Sequence, residues 1–155
     1  MSAAAEKRLA ELGLTLPAAA APIANYVPAV RAGPLLFVSG QLPVKDGQLM
    51  LVGLVGDTVS VDQATEAARL CALNLIAQAK LALNGDLDRV RRVVKLTGFV
   101  AAGPGFMHHP QVINGASDLM VAVFGDAGRH ARAAVGSSSL PRGAPVEVDA
   151  VFEVA

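Results

Sequence analysis

The sequence predicts an α+β fold in which one sheet carries two main helices on a single face. Strand-like segments lie at both ends of the chain, two helical stripes lie between them, and a β-branched segment separates the helices. The chain has 155 residues, of which 53% are apolar, so a single unit with its own core is expected.

The N-terminal part is predicted to contain a short amphipathic helix over residues 3–12, which ends at Gly13, and an extended connector over residues 14–25. Lys7 and Arg8 precede an alanine-rich stretch, which resembles a secretory signal. Glu11 and the prolines that follow exclude that interpretation. The same prolines make this segment a poor membrane helix. We therefore divide the chain into this segment, residues 1–25, and a globular part, residues 26–155.

Two strands are predicted next, over residues 26–31 and 35–39, with the turn signal Ala32-Gly33-Pro34 between them. Asp46-Gly47 marks another turn, and a short strand is expected over residues 49–52.

A long helix is the clearest element of the sequence. Ser60 and Gln63 form a capping box at its start, and Asn84-Gly85 ends it. Apolar residues recur between these limits at three- and four-residue spacing, which defines one buried face: Val61, Ala64, Ala68, Cys71, Leu75, Ala79 and Ala82. Cys71 lies on this face and is interpreted as a small core residue.

The second half is predicted to contain a strand over residues 90–101, a loop over 103–109, a helix over 111–124 and two strands over 131–138 and 145–154. The turn Leu140-Pro141-Arg142-Gly143 separates the last two strands. The helix has its apolar face in Ile113, Ala116, Met120 and Val123. One face of such a sheet would remain open, and partner subunits could cover it.

Charge and composition restrict the function. Only 17% of the residues are charged, which favours an oligomer, although an alanine-rich core is the alternative. The net charge is zero, there is no Trp and Tyr26 is the single Tyr, so nucleic-acid binding is disfavoured. A single cysteine cannot form an internal disulfide, which fits a cytoplasmic protein.

Most standard catalytic motifs are absent from the sequence. No segment matches a P-loop or a dinucleotide fingerprint, and the stretch from Gly136 to Leu140 lacks the second glycine of a nucleophile elbow. The adjacent pair His108-His109 is interpreted as a solvated loop pair, because no further ligand follows at metal-binding spacing. His130 is placed at a pocket rim.

Arg132 is the main functional candidate because it stands among small apolar residues, where a permanent positive charge needs a partner. A structural ion pair or a solvent-facing strand residue remains an equal alternative. If the last two strands formed an antiparallel pair, Arg132 and Glu147 would lie near each other in register. Strand periodicity puts Glu147 and Asp149 on one face, and does not decide which of them points to solvent.

Several short motifs together resemble the RidA/YjgF family, which is also labelled endoribonuclease L-PSP. They are Ala131-Arg132 with Val135, Leu140-Pro141, Val146-Glu147-Val148, the segment from Val38 to Val44, Asn74-Leu75 and Asn114. Their order and spacing cover about residues 23–154. The resemblance implies a chorismate-mutase-like fold with one mixed sheet and a homotrimer with ligand clefts between subunits.

The resemblance also implies an activity and a set of site residues. Family members hydrolyse 2-enamino and 2-imino acids to 2-keto acids and ammonia, and no cofactor is needed because an imine is already electrophilic. Arg132 would hold the substrate carboxylate, and Glu147 would orient or activate water. The remaining positions that would line or shape the cleft are Tyr26, Ser39, Gly40 and Asn114, together with Ala134 through its backbone.

One position departs from the family pattern. Family members with this activity usually carry Cys two residues after the arginine, where this chain has Ala134. The departure keeps a second hypothesis open, a non-catalytic trimer that binds a small carboxylate metabolite. Endoribonuclease activity is a third hypothesis, which the neutral charge disfavours. The physiological substrate and the roles of Arg129, His130 and Arg142 stay open at this point.

Overall fold

The computed structural model describes residues 4–21 and 25–155. Residue 3 of the predicted first helix and residues 22–24 of the predicted connector lie outside these ranges. The helices and strands, in chain order, are α1 Ala4–Glu11, β1 Ala29–Ala32, β2 Leu35–Gln41, β3 Val44–Lys45, β4 Gln48–Leu49, α2 Val61–Ala82, β5 Val90–Ala101, α3 His109–Phe124, β6 Ala131–Ser137 and β7 Val146–Val154. Single 3₁₀ turns occupy Leu87–Arg89, Gly125–Gly128 and Pro141–Gly143.

Five strands form one mixed sheet in the order β1-β2-β7-β5-β6. β5 and β6 are parallel, and the other neighbours are antiparallel. α2 and α3 pack on the same face, because alternate residues of β7 point to them and are buried: Val146, Val148, Ala150, Phe152 and Val154. The predicted α+β class, with one mixed sheet and two main helices on one face, is confirmed.

The predicted start of α2 is confirmed in detail. The Ser60 hydroxyl accepts from the Gln63 backbone N–H at 3.1 Å, and the Ser60 backbone N–H donates to Gln63 Oε1 at 3.0 Å. Cys71 is fully buried in the core face of the helix. Burial raises the pKa of its thiol, and the Glu147 carboxylate adds to this, so the thiol stays protonated.

Two glycines let α3 approach its neighbours closely. A Cβ at Gly115 would overlap the Thr65 carbonyl oxygen of α2, and a Cβ at Gly98 of β5 would overlap the Ile113 side chain. α3 begins at His109, two residues before its predicted start, because Pro110 suits the first helical turn. These close contacts set the distance between α3, which carries Asn114, and the sheet.

α1 and the connector are fastened to the rest of the molecule by polar contacts as well as by Leu9 in the core. Arg8 Nη1 donates to the Val123 carbonyl oxygen at 3.2 Å, at the C-terminal end of α3. Gln78 Nε2 donates to the Ala20 carbonyl oxygen at 2.9 Å. The described connector residue Ala20 is therefore held against α2.

The predicted strand over residues 49–52 is wrong. Only Leu49 pairs, as part of the two-residue hairpin of β3 and β4. The chain leaves the ladder after it because Met50 N bonds Pro43 O and Gly53 N bonds Gly143 O instead. Asp46 and Gly47 do form the predicted turn, both with positive φ.

The sheet face opposite the helices carries apolar side chains that no element covers in the described part of the chain. Phe37 of β2 and Val135 of β6 are 45% and 44% exposed. None of the helices in the described ranges has the length and hydropathy needed to cross a membrane.

Candidate functional site

A cavity of about 620 Å³ opens beside the end of β2 and the first residues of β7. Four of the predicted site residues line it: Tyr26, Ser39, Gly40 and Glu147. Residues 17–21 of the connector form one wall of the cavity, and Asn74 and Gln78 of α2 line another part of it. The helix and the connector thus both contribute to the space in front of Glu147.

Glu147 lies on the open face of β7, as Asp149 does, so the predicted sharing of a face is confirmed. Burial of the carboxyl, and secondly the Asp149 carboxylate, raise the pKa of Glu147. Within the described ranges, the Glu147 side chain makes no hydrogen bond and no ion pair. The raised pKa means that this carboxyl holds its proton more readily than a free glutamate does.

Gly40 is placed by an irregularity of β2, since the register with β7 shifts between Val38 and Gln41. A Cβ at Gly40 would overlap Glu147 Oε1. The absence of a side chain at Gly40 is therefore what makes room for the carboxylate. Ser39 is held beside it, because its hydroxyl donates to the Pro28 carbonyl oxygen at 3.1 Å.

The other predicted residues lie apart from this cavity. Arg132 lies on the edge strand β6, where its Nη1 donates to Asn114 Oδ1 at 2.8 Å and to Ser117 Oγ at 3.2 Å. Ala134 follows on the same face of β6, partly buried against the core. Its side chain is a methyl group, so only its backbone offers polar contacts.

The guanidinium of Arg132 has no ionic partner inside the described chain. No carboxylate oxygen of residues 4–21 or 25–155 lies within 4.0 Å of it. Both acceptors of Nη1 are neutral, and the Nε–H and Nη2 edge makes no hydrogen bond to the described residues. An edge of this shape is suited to a carboxylate that accepts two parallel hydrogen bonds.

The predicted register between Arg132 and Glu147 is wrong. Arg132 pairs with Leu96 of β5 in a parallel ladder, whereas Glu147 pairs with Phe99 on the other side of β5. β5 therefore lies between their strands, and the two side chains point to opposite faces. The cause is topological, because β5, α3 and β6 form a crossover unit that places β6 parallel to β5 at the sheet edge.

The structure also answers what the sequence left open about the other basic residues. Arg142 lines the cavity and donates to the Gly47 carbonyl oxygen at 3.2 Å. Arg129 pairs with the exposed Asp126 at 3.4 Å and is itself exposed. His109 packs its ring edge-to-face with Phe106. Among the described residues no group of three side chains is suited to hold a metal ion.

Two residues that contact Arg132 or line the cavity were not predicted from the sequence. Ser117 contacts Arg132 and lies three residues after Asn114, so helical periodicity could have placed both on one face. Gln78 is 2% exposed and lines the cavity. No sequence signal marks it, because a glutamine near the end of a helix is usually solvated.

The chain matches known proteins along almost its whole length. The model of a family described as "YjgF/chorismate mutase-like, putative endoribonuclease" matches residues 6–150. Protein TCP17 of Trypanosoma cruzi is 52% identical over 159 residues, which covers 99% of both chains.

Two crystal structures are similar to it. Protein Atu1372 of Agrobacterium tumefaciens, whose function is unknown, is 56% identical with a TM-score of 0.92, over 98% of this chain and 93% of that one. A Shewanella oneidensis protein that carries the same endoribonuclease description is 37% identical with a TM-score of 0.93, over 97% and 99%.

Proposed function

Because this chain belongs to the YjgF/chorismate mutase-like family, we propose that it hydrolyses small 2-enamino and 2-imino acids to 2-keto acids and ammonia. The observation that carries the proposal is the Arg132 guanidinium, which is held at one end and lacks a counter-charge among the described residues. A substrate carboxylate would accept from its free Nε and Nη2 groups.

The proposed site forms between subunits of a homotrimer. Arg132 and Glu147 lie on opposite faces of one chain, so they can act on the same small molecule only when they come from different copies. A closed ring in which the β6 edge of one copy meets the cavity of the next would bring them together three times. The same contact would cover the apolar open face of the sheet.

Glu147 would carry the proton transfers of the reaction. Water adds to the imine carbon as one of its protons passes to the Glu147 carboxylate, the C=N electron pair moves to nitrogen, and Glu147 returns the proton to that nitrogen. The hydroxyl of the tetrahedral intermediate then passes its proton through Glu147 to the amino group, C=O forms, and ammonia leaves. A 2-enamino acid first takes a proton at C3 and loses one from nitrogen to become the imine. The raised pKa of Glu147 supports this role, since one group must both take and give a proton.

A competition assay tests this proposal. An amino-acid oxidase produces 2-iminopropanoate from alanine, and semicarbazide traps it in a product that absorbs light. The protein is expected to lower the rate of trapping, and Arg132→Ala is expected to abolish that effect. Arg129→Ala is the matched control, because Arg129 is an exposed arginine whose ion pair is with Asp126. Equal trapping with and without the wild-type protein would refute the proposal.

A non-catalytic trimer that binds a small carboxylate metabolite is the second candidate. The observation that favours it is Ala134, which offers no thiol at the position where family members with the activity usually have Cys. Titration calorimetry with pyruvate separates the two candidates: saturable binding without imine hydrolysis supports this one. Endoribonuclease activity, the third candidate, has the family's description in its favour and the zero net charge against it.

A further inference from the structure

Ser117 and His130 form a hydrogen-bonded pair next to Arg132. Ser117 Oγ lies 2.9 Å from His130 Nε2, and His130 Nδ1 lies 2.7 Å from the Gly128 carbonyl oxygen. We propose that this pair is a positioning device that holds the Arg132 guanidinium in the orientation that binds a carboxylate. The proposal rests on the proposed function in that it takes Arg132 as the anion-binding group.

The direction of each hydrogen bond follows from the chemistry of the groups. A carbonyl oxygen can only accept, so His130 Nδ1 carries the proton. In the neutral ring Nε2 is then an acceptor, and the Ser117 hydroxyl donates to it. The lone pairs of Ser117 Oγ remain to accept from Arg132 Nη1. The chain of donors therefore runs from Arg132 through Ser117 and His130 to the backbone.

The far end of this chain is rigid. A Cβ at Gly128 would overlap the Met120 carbonyl oxygen of α3, so the backbone at Gly128 lies directly against the helix that carries Ser117. His130 and Ser117 are both partly buried, and each bond of the chain polarises the next. The Ser117 hydroxyl is thus fixed as an acceptor toward Arg132.

Fixing Ser117 determines which edge of the guanidinium is free. Nη1 has two hydrogens, and Asn114 Oδ1 and Ser117 Oγ take one each. The plane of the guanidinium is then set, and the Nε–H and Nη2 edge is left without a hydrogen bond to the described residues. A bidentate carboxylate needs this plane to be correct, because both of its hydrogen bonds lie in it.

Ser117 is assigned a positioning role and not that of a nucleophile. Its pairing with a histidine resembles a serine–histidine arrangement. However, the oxygen that would attack already accepts from a guanidinium, which withdraws electron density from it. A fluorophosphonate probe is therefore expected to leave Ser117 unmodified, and labelling of Ser117 would overturn the assignment.

The test uses the full-length protein and two readouts. The first is ¹⁵N NMR of the ligand-free protein, where the Arg132 Nη1 signal, assigned with Arg132→Lys, is expected to be sharp because two hydrogen bonds slow rotation about the Cζ–Nη1 bond. The second is the Kd for pyruvate by calorimetry. Ser117→Ala and His130→Ala should broaden the signal and weaken binding roughly tenfold. His130→Gln keeps an acceptor where Nε2 was and should restore both readouts.

Matched controls and the contrary outcomes complete the experiment. Ser138→Ala and His108→Gln change exposed residues of the same types and should leave both readouts at the wild-type level. The positioning role is overturned if Ser117→Ala leaves the Arg132 signal unchanged, or if His130→Gln behaves like His130→Ala. If the wild-type protein binds no keto acid, the proposed function fails, and the NMR readout still decides the positioning role.

Discussion

Arg132 and Glu147 lie on opposite faces of one sheet, with β5 between their strands. Each has its own supporting residues, Asn114 and Ser117 for the arginine, and Gly40 and the connector wall for the glutamate. Under the proposed function, a single chain thus supplies two separate halves of a site.

Gly40→Ala is expected to displace the Glu147 carboxylate, because the added methyl group would occupy the position of Oε1. Imine hydrolysis should fall at least about tenfold, while the fold loses roughly 1–3 kcal/mol from overpacking. Steady-state kinetics and thermal unfolding measure the two effects. Gly103→Ala is the control, since its Cβ meets nothing within 4 Å. Full activity in Gly40→Ala would show that Glu147 does not need this space.

Glu147→Gln is expected to stabilise the protein at neutral pH. The pKa of Glu147 is higher in the folded chain than its ordinary value of 4.5, so the unfolded chain ionises first as the pH rises. Stability is therefore lost between pH 4.5 and the raised pKa, and the variant avoids this loss. Thermal unfolding from pH 4 to pH 8 should show that the variant is more stable than the wild type near neutral pH, and this difference in stability should disappear at the acidic end.

Two further variants check that interpretation. Asp149→Asn removes the second cause of the raised pKa of Glu147. In a protein that keeps Glu147, this change should move the pH range over which stability is lost toward lower pH. Glu153→Gln changes a carboxylate on the same face of β7 and should not reproduce the stability difference. If the stability difference between Glu147→Gln and the wild type were independent of pH, the substitution would act through packing.

Phe37→Asp is expected to convert the protein to monomers. The side chain lies on the open sheet face, which the proposed trimer covers, and a buried charge there would be unpaired. Light scattering should give three times 15.8 kDa for the wild type and a single chain mass for the variant. Leu81→Asp is the control, because Leu81 is 62% exposed near the end of α2, on the other side of the molecule. A wild-type monomer would exclude a composite site.

Gln78→Leu is expected to release the connector from α2. It removes the hydrogen bond to Ala20 and also removes Oε1, a buried oxygen without a hydrogen-bond partner in the described chain. These effects oppose each other, so the stability should change by less than about 2 kcal/mol. Hydrogen exchange should nevertheless become faster over residues 17–21. Gln48→Leu, at an exposed position, should leave the exchange rate of that segment unchanged. An unchanged exchange rate in Gln78→Leu as well would mean that packing alone holds the connector.

Ser60→Ala is expected to cost about 1 kcal/mol of folding free energy, because the Gln63 backbone N–H at the start of α2 loses the Ser60 hydroxyl as its acceptor. Denaturant unfolding measures this loss. Ser138→Ala, an exposed serine outside any helix, should have no comparable effect. Equal stabilities of the two variants would show that packing alone sets the start of α2.

Local patterns were enough to predict most of the fold. The 3.6-residue spacing of α2, its caps, and the β-branched run of β5 are properties of neighbouring residues, and the structure confirms them. The segment after Asp46-Gly47 was predicted less well. Its backbone bonds go to residues far away in sequence, such as Gly143, and no local pattern records such partners.

The sequence by itself determined that Arg132 is a charge in need of a partner, since small apolar neighbours cannot compensate a guanidinium. Only the tertiary structure decided where its partners are. The order of strands in a sheet depends on packing between distant segments, so the chain could not show that β5 separates Arg132 from Glu147. The same packing brings Ser117 and His130 to Arg132, and the connector to the cavity of Glu147.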